Sequence, residues 1–178
     1  GTDKPVYDVF GGGGAITAEC ILNGLEVYYN DLDKSITGMF KRVISQDREW
    51  IKTLIVSRQE FLIIKEKQER SVDDELKLLV NSFGNDRRWY LYSAEWSDVK
   101  YNLAIEIIRK HDVFSGYKQT DTYKNAKRPY DECKLEKNNV LQQLQQLEQL
   151  QQLERLQQLE RLESTNLSYE NFSDVKDS

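Results

Sequence analysis

Two short stretches near the start of the chain hold residue types that can bind a nucleoside. Residues 6–10 form an apolar run that enters four glycines, Gly11–Gly14, and residues 25–29 form a second run that precedes Asp31 and Asp33. Glycines let the backbone turn sharply and approach a ligand without a Cβ in the way. An acid at the end of the next strand can accept hydrogen bonds from ribose hydroxyls. The order of strand, glycine turn, helix, strand and acid predicts the first half of a Rossmann-like sheet.

The glycine run is a weak signal by itself. Gly11–Gly14 departs from the spacing Gly-x-Gly-x-x-Gly, and a flexible loop is the ordinary alternative. The acids, about 20 residues further along the chain, favour nucleoside binding. A different nucleotide enzyme that uses the glycines and Asp31 for a dinucleotide such as NAD stays open as an alternative.

The order of residue types in these stretches resembles that of S-adenosylmethionine-dependent methyltransferases. Residues 8–14, Asp-Val-Phe-Gly-Gly-Gly-Gly, are similar to the acid-x-Phe-x-Gly-x-Gly motif of that superfamily, and residues 29–33 resemble its second-strand motif. The chain most resembles the Dam-like DNA adenine-N6 methyltransferases of phages, because residues 81–92 are similar to a stretch of their target-recognition insert. The resemblance implies site-specific transfer of a methyl group from S-adenosylmethionine to adenine N6 in double-stranded DNA.

The same resemblance implies a set of cofactor contacts. Asp8 and the glycines would border the methionine and adenosine parts of S-adenosylmethionine, and Asp31 would bind the ribose hydroxyls. Near the end of the chain, Glu170 or Asn171 would lie beside the adenine. The implied cofactor-binding residues are Asp8, Phe10, Gly11, Gly12, Gly13, Gly14, Asp31, Glu170 and Asn171.

A second group of residues has the chemistry of DNA contact. Residues 84–86, Gly-Asn-Asp, are typical of a turn, and the arginines and aromatics that follow can bind phosphates and stack on bases. The alternative is a short strand or hairpin that packs on helices and leaves the arginines solvated. Residues 81–130 carry nine basic and six acidic side chains, so a chain of net charge −5 holds a segment of +3. The predicted DNA contacts are Asn85, Arg87, Arg88, Tyr90, Lys118 and Lys124.

The sequence offers no catalytic centre for methyl transfer. The resembled family polarises the flipped adenine with an acid-Pro-Pro-aromatic motif, whereas the two prolines here are Pro5 and Pro129. We therefore predict no catalytic residue and no metal site, and we expect a fragment that is inactive alone. The alternative is a non-catalytic DNA-binding or interaction protein derived from such an enzyme. The single histidine, His111, is interpreted as part of a polar helix end.

Periodicity and composition predict a mixed α/β fold in four segments. Residues 1–45 are the first half of the cofactor-binding domain, and residues 46–130 are a mainly helical target-recognition insert. Residues 131–163 are a Leu/Gln/Glu triplet repeat, and residues 164–178 are the strand that returns to the catalytic sheet. Helices are predicted over residues 15–23, from Asp33 to 44, within 46–67, over 75–80 and over 96–110, and a loop over 116–130.

Leucine occupies every third position from Leu141 to Leu162. Each three-residue step rotates a helical side chain by about −60°, so this stripe leaves a coiled-coil seam within about two turns. A long helix with different neighbours at different heights, a tract of 3₁₀ turns and an unstructured repeat all remain open, and we favour the helix. The predicted role is a spacer or a surface for self-association.

Hydropathy and cysteine use predict a cytoplasmic protein. No apolar run approaches the length of a membrane span, and the first residues lack a signal-peptide pattern. Cys20 and Cys133 form no ligand pattern and are expected to be reduced thiols, with Cys20 in the core. By the resemblance, the compartment is the cytoplasm of a bacterium or of a phage-infected host cell.

Overall fold

The computed structural model describes residues 4–9, 11–132 and 144–158. They form a mixed α/β structure that is mostly helical and holds a two-stranded parallel sheet. They divide into two compact units, one built from residues 4–48 and 153–158 and the other from residues 49–132 and 144–152. Within these described ranges, no helix is both long and apolar enough to span a bilayer.

The sheet lies in the first unit. Strands β1 (Val6–Asp8) and β2 (Val27–Tyr29) run parallel, with Val6 opposite Val27 and Asp8 opposite Tyr29. Helix α1 (Ala15–Leu22) connects them and is followed by Gly24, whose φ of 73° suits the residue after a helix end. This is the strand, turn, helix and strand order that the sequence predicts.

Helix α2 (Lys34–Ile44) follows the second strand. It begins at Asp33, whose carboxylate accepts a hydrogen bond from the Ser35 N–H at 2.8 Å, so the predicted helix cap is confirmed. The Phe40 ring from this helix stacks on Tyr29 with ring centroids 4.4 Å apart. The buried core of the unit includes Ile21, Val27, Tyr29, Phe40 and Ile44, and Cys20 packs against it partly buried.

The other helices carry most of the second unit. They are α3 (Arg48–Lys52), α4 (Arg58–Lys65), α5 (Val72–Val80), α6 (Ser97–His111), α7 (Asp121–Glu132) and α8 (Gln145–Gln157). The helices predicted within 46–67, over 75–80 and over 96–110 are confirmed. Helix α5 starts with a full capping box, in which the side chains of Ser71 and Asp74 each accept a hydrogen bond from the other's backbone N–H.

The loop predicted over residues 116–130 is wrong, because most of it is helix α7. The Thr120 hydroxyl accepts a hydrogen bond from the Tyr123 N–H at 3.3 Å and so caps the start of the helix. Tyr117 and Tyr123 are buried and meet edge to face, with ring centroids 5.4 Å apart. Two buried tyrosines six residues apart hold this otherwise polar segment, and so sparse a pattern gives little periodic signal.

Part of the leucine repeat is helical. Helix α8 confirms the helical interpretation for residues 145–157. Leu144, Leu147 and Leu150 are fully buried in the second unit, whereas Leu156 packs against the core of the first unit. The repeat therefore meets different neighbours at different heights, and three of its leucines face inward rather than toward a second chain.

Candidate functional site

The turn after β1 brings the two predicted parts of the nucleoside site together. The Gly12 N–H donates a hydrogen bond to Asp31 Oδ2 at 2.9 Å, and the Asp33 N–H donates to Asp31 Oδ1 at 2.8 Å. Asp31 therefore ties the loop that follows β1 to the end of β2. Each carboxylate oxygen can accept two hydrogen bonds, so Asp31 keeps acceptor capacity for a diol.

The glycines do not all have the same role. A Cβ on Gly11 would lie 2.2 Å from the Tyr29 ring, and one on Gly14 would lie 2.3 Å from the Phe40 ring. A Cβ on Gly13 would meet nothing within 4 Å. Gly11 and Gly14 thus make room for the chain's own aromatic rings, and Gly13 is the position where the backbone faces open space that a ligand can approach.

Tyr29 is a part of the site that the sequence analysis missed. Its ring is fully buried, and its hydroxyl donates a hydrogen bond to the Gly12 carbonyl at 2.7 Å. Together with the Asp31 bond to the Gly12 N–H, it fixes both backbone polar groups of Gly12, and so the two peptide units that meet at this residue. The sequence signal for this contact is the pair of tyrosines at the end of β2, Tyr28 and Tyr29. An aromatic side chain at that position can reach the glycine turn after β1, because the glycines have no side chains in the way.

Asp8 lies at the end of β1 and is buried. Its Oδ2 accepts a hydrogen bond from the Thr17 hydroxyl at 2.7 Å, so the carboxylate holds the first turn of α1. Thr17 is itself fully buried. Asp8 therefore positions the loop between the strand and the helix, a task that sequence spacing alone does not distinguish from ligand contact.

A pocket of about 260 Å³ opens beside Asp31. Besides that acid, Leu32, Lys34, Thr37 and Lys41 contribute to its lining. Leu32 is 79% exposed, and it offers an apolar surface next to the acid. An acceptor for a diol beside an apolar side chain can hold the sugar and base of a nucleoside, whereas a single carboxylate that already accepts two backbone hydrogen bonds is a poor site for a metal ion.

The predicted DNA contacts around Arg87 lie on a short loop of the second unit. Asn85 and Arg87 adopt left-handed backbone conformations, with φ of 56° and 62°. The Arg87 guanidinium pairs with Glu75 at 2.9 Å, and the Arg87 N–H donates to the Ser82 hydroxyl at 2.9 Å. Arg87 therefore holds the loop in place, whereas Arg88 is exposed.

Tyr90 does not lie on the surface, and the structure corrects its assignment as a DNA contact. It is 9% exposed, its hydroxyl donates to the Val56 carbonyl at 3.0 Å, and its ring meets Phe61 edge to face. Burial raises the pKa of Tyr90 well above its ordinary value. The Tyr90 ring therefore packs in the core beneath the loop and is not accessible to a nucleic acid.

Lys118 and Lys124 lie elsewhere on the second unit. Lys124 is exposed on α7, and Lys118 is exposed on the 3₁₀ turn before it, with Nζ 5.5 Å from the centroid of the Tyr117 ring. Phe10, Glu170 and Asn171, which the resemblance also assigns to the cofactor, lie outside the described residues.

No protein-family model, curated protein or solved structure matches this chain.

Proposed function

We propose that this chain is the cofactor-binding and DNA-recognition part of an S-adenosylmethionine-dependent DNA adenine-N6 methyltransferase, with β1 and β2 belonging to a Rossmann-like sheet. The observation that carries the proposal is the hydrogen bond between the Gly12 N–H and Asp31. It joins a glycine turn to an acid at the carboxyl ends of two adjacent parallel strands, which is where open α/β sheets bind their ligands.

Each part of this site has a distinct task under the proposal. Asp31 accepts hydrogen bonds from the ribose hydroxyls, and the backbone at Gly13 lets the ligand approach closely. Asp8 and Tyr29 hold the loop in the geometry that keeps this face open. When S-adenosylmethionine is bound, it supplies the activated methyl group.

Exposed cations on the second unit support a DNA partner. Arg88, Lys118 and Lys124 are all exposed, and the segment from 81 to 130 has a local charge of +3. Such side chains contact phosphates, and each neutralised phosphate releases counterions. Binding to DNA is therefore expected to weaken steeply as the salt concentration rises.

Titration calorimetry with S-adenosylmethionine and with NAD tests the cofactor assignment. We expect S-adenosylmethionine to bind preferentially and Asp31→Asn to weaken that binding by about tenfold, because a charge-assisted hydrogen bond to the ribose is lost. Asp33→Asn is the matched control, since it removes the same charge two residues away and asparagine caps a helix as well as aspartate does.

Two results would contradict the cofactor assignment. One is the preferential binding of NAD, and the other is equal loss of affinity in the two variants. A urea titration of each variant separates lost binding from lost folding, because Asp31 also accepts two backbone hydrogen bonds.

Transfer of a methyl group needs chemistry that these 178 residues do not offer. Their two prolines, Pro5 and Pro129, cannot form the acid-Pro-Pro-aromatic motif of the resembled family. We expect the purified chain to bind S-adenosylmethionine and to leave adenine-containing duplex DNA unmethylated in a radiolabel assay. Labelled DNA in that assay would refute the assignment of the chain as a non-catalytic part.

A further inference from the structure

The loop between Ser82 and Tyr90 presents two aromatic rings to solvent. Ser82 and Tyr90 form an isolated antiparallel bridge, and the Phe83 N–H donates to the Trp89 carbonyl at 2.8 Å. Neighbouring residues in such a pair point to opposite faces. Since Ser82 and Tyr90 are buried, Phe83 and Trp89 project outward, and they are 65% and 68% exposed.

The base of this loop is fixed in the core. The fully buried Asn81 donates from Nδ2 to the Leu54 carbonyl at 2.8 Å and to the Lys77 carbonyl at 2.7 Å. Its Oδ1 accepts from the Val56 N–H at 3.2 Å. The backbone that carries the two exposed rings is therefore already ordered, so little conformational entropy is lost there when a partner binds.

The tip of the loop is also held by its own residues. Asp86 Oδ1 accepts hydrogen bonds from the Arg88 N–H at 2.7 Å and from the Trp89 N–H at 3.3 Å. The one carboxylate of the tip is thus engaged with backbone donors. The tip keeps the exposed Arg88 as its outward charge.

Two cationic residues adjoin Trp89, one in space and one along the chain. Lys65 Nζ lies 5.0 Å from the centroid of the Trp89 ring, and Arg88 is the next residue along the chain. Exposure of two large aromatic rings to water is unfavourable, and such exposed apolar surface often marks a site where a partner binds. Cations beside flat apolar faces are complementary to a strand of phosphates and bases.

We propose that Phe83 and Trp89 form a stacking platform for unpaired bases of DNA, with Lys65 and Arg88 on the adjoining phosphates. The proposal rests on the DNA partner of the proposed function and adds the form of the DNA. The base faces of a continuous duplex are covered by their neighbours, so the platform takes single-stranded or locally opened DNA.

The test uses the full 178-residue chain and three DNA probes of one sequence: a single strand, a paired duplex and a duplex with two unpaired bases. Binding is measured by anisotropy of a labelled oligonucleotide and by quenching of tryptophan emission. We expect the single strand and the interrupted duplex to bind more tightly than the paired duplex. We also expect quenching to be lost in Trp89→Phe, because the quenched fluorophore is removed, while binding persists.

Substitutions at position 89 separate stacking from general apolar contact. Stacking on a base contributes enough that Trp89→Leu should weaken single-strand binding about tenfold, whereas Trp89→Phe should keep most of the affinity. Phe83→Leu should act in the same direction. Leu62→Ala, at an exposed apolar position on α4, is the control and should leave binding unchanged. These side chains are exposed, so circular dichroism should show the same fold in all variants.

The outcomes distinguish this proposal from the proposed function. If paired duplex binds as tightly as single strand, or if Trp89→Leu binds like the parent chain, the platform is refuted while the DNA partner stands. If no probe binds, both the platform and the DNA partner are refuted. Loss of S-adenosylmethionine binding alone bears on the cofactor assignment and leaves the platform intact.

Discussion

Gly14 is the residue at which the glycine turn depends most on the absence of a side chain. Its φ is 75°, and an added Cβ would lie 2.3 Å from the Phe40 ring. We expect Gly14→Ala to lower the free energy of unfolding by about 2 kcal/mol, because it adds both backbone strain and overpacking. Urea unfolding followed by circular dichroism measures the change.

Gly13→Ala provides the comparison for Gly14→Ala. Nothing lies within 4 Å of a Cβ at Gly13, so we expect its stability to stay within about 0.5 kcal/mol of the parent chain. Because the space at Gly13 is left for a ligand in the proposed site, this variant should lose S-adenosylmethionine affinity while it stays folded. Equal destabilisation by the two substitutions would show that the loop does not have this packing.

The residue types of the candidate site after β1 could be predicted from the sequence, but the side chains that hold it could not. Gly-rich turns and an acid after the next strand form a local pattern, and this pattern predicts Asp31 after β2 and beside the glycine loop, where the structure has it. The contact of Tyr29 with Gly12 joins residues 17 positions apart and depends on sheet packing. The prediction that Tyr90 contacts DNA is wrong for a similar reason. Alternate residues of an extended segment point to opposite faces, and which face is buried depends on where the core lies.

Helix α8 has a repetitive sequence, yet specific buried contacts fix its position in the second unit. The buried Gln146 donates from Nε2 to Asn81 Oδ1 at 2.5 Å and to the Val56 carbonyl at 3.3 Å. Most glutamines in the repeat are chemically equivalent, so no local signal marks this one. The period of three excludes a regular seam, and the buried partners of each leucine follow only from the fold.

Leu147 lies on this helix and is fully buried. We expect Leu147→Ala to lower the free energy of unfolding by about 2–5 kcal/mol, since it removes transfer free energy and leaves a cavity. Leu153→Ala, at a half-buried leucine of the same repeat, should cost less. Denaturant unfolding of both variants gives the comparison.

Sedimentation velocity on the same two variants tests whether the repeat associates chains. Because Leu144, Leu147 and Leu150 are buried within one chain, we expect Leu147→Ala to change stability without changing the sedimentation coefficient of the folded protein. An oligomer in the parent chain that dissociates in Leu147→Ala at unchanged stability would instead support association through these leucines.

At the scale of the whole molecule, the tyrosines buried in the second unit link stability to alkaline pH. Burial raises the pKa of Tyr90 and Tyr92 far above the ordinary value, and it raises the pKa of Tyr117 to about 12. Above pH 10 the unfolded chain releases these protons while the folded chain keeps them. The unfolded state then binds fewer protons, so the free energy of unfolding falls as pH rises.

We therefore expect full stability from these tyrosines below pH 10 and a progressive loss from pH 10 upward, measured by urea unfolding at fixed ionic strength. Burial lowers the pKa of the half-buried Lys100, which contributes with the opposite sign, but that contribution ends near its ordinary value of 10.5. Tyr92→Phe removes one of the three phenols whose pKa burial raises in this way, so its stability should fall less steeply with pH than that of the parent chain. If the free energy of unfolding fell equally steeply with pH in both proteins, the pKa of Tyr92 would be the same in the folded and unfolded chains. That result would contradict the effect expected from a side chain that is only 5% exposed.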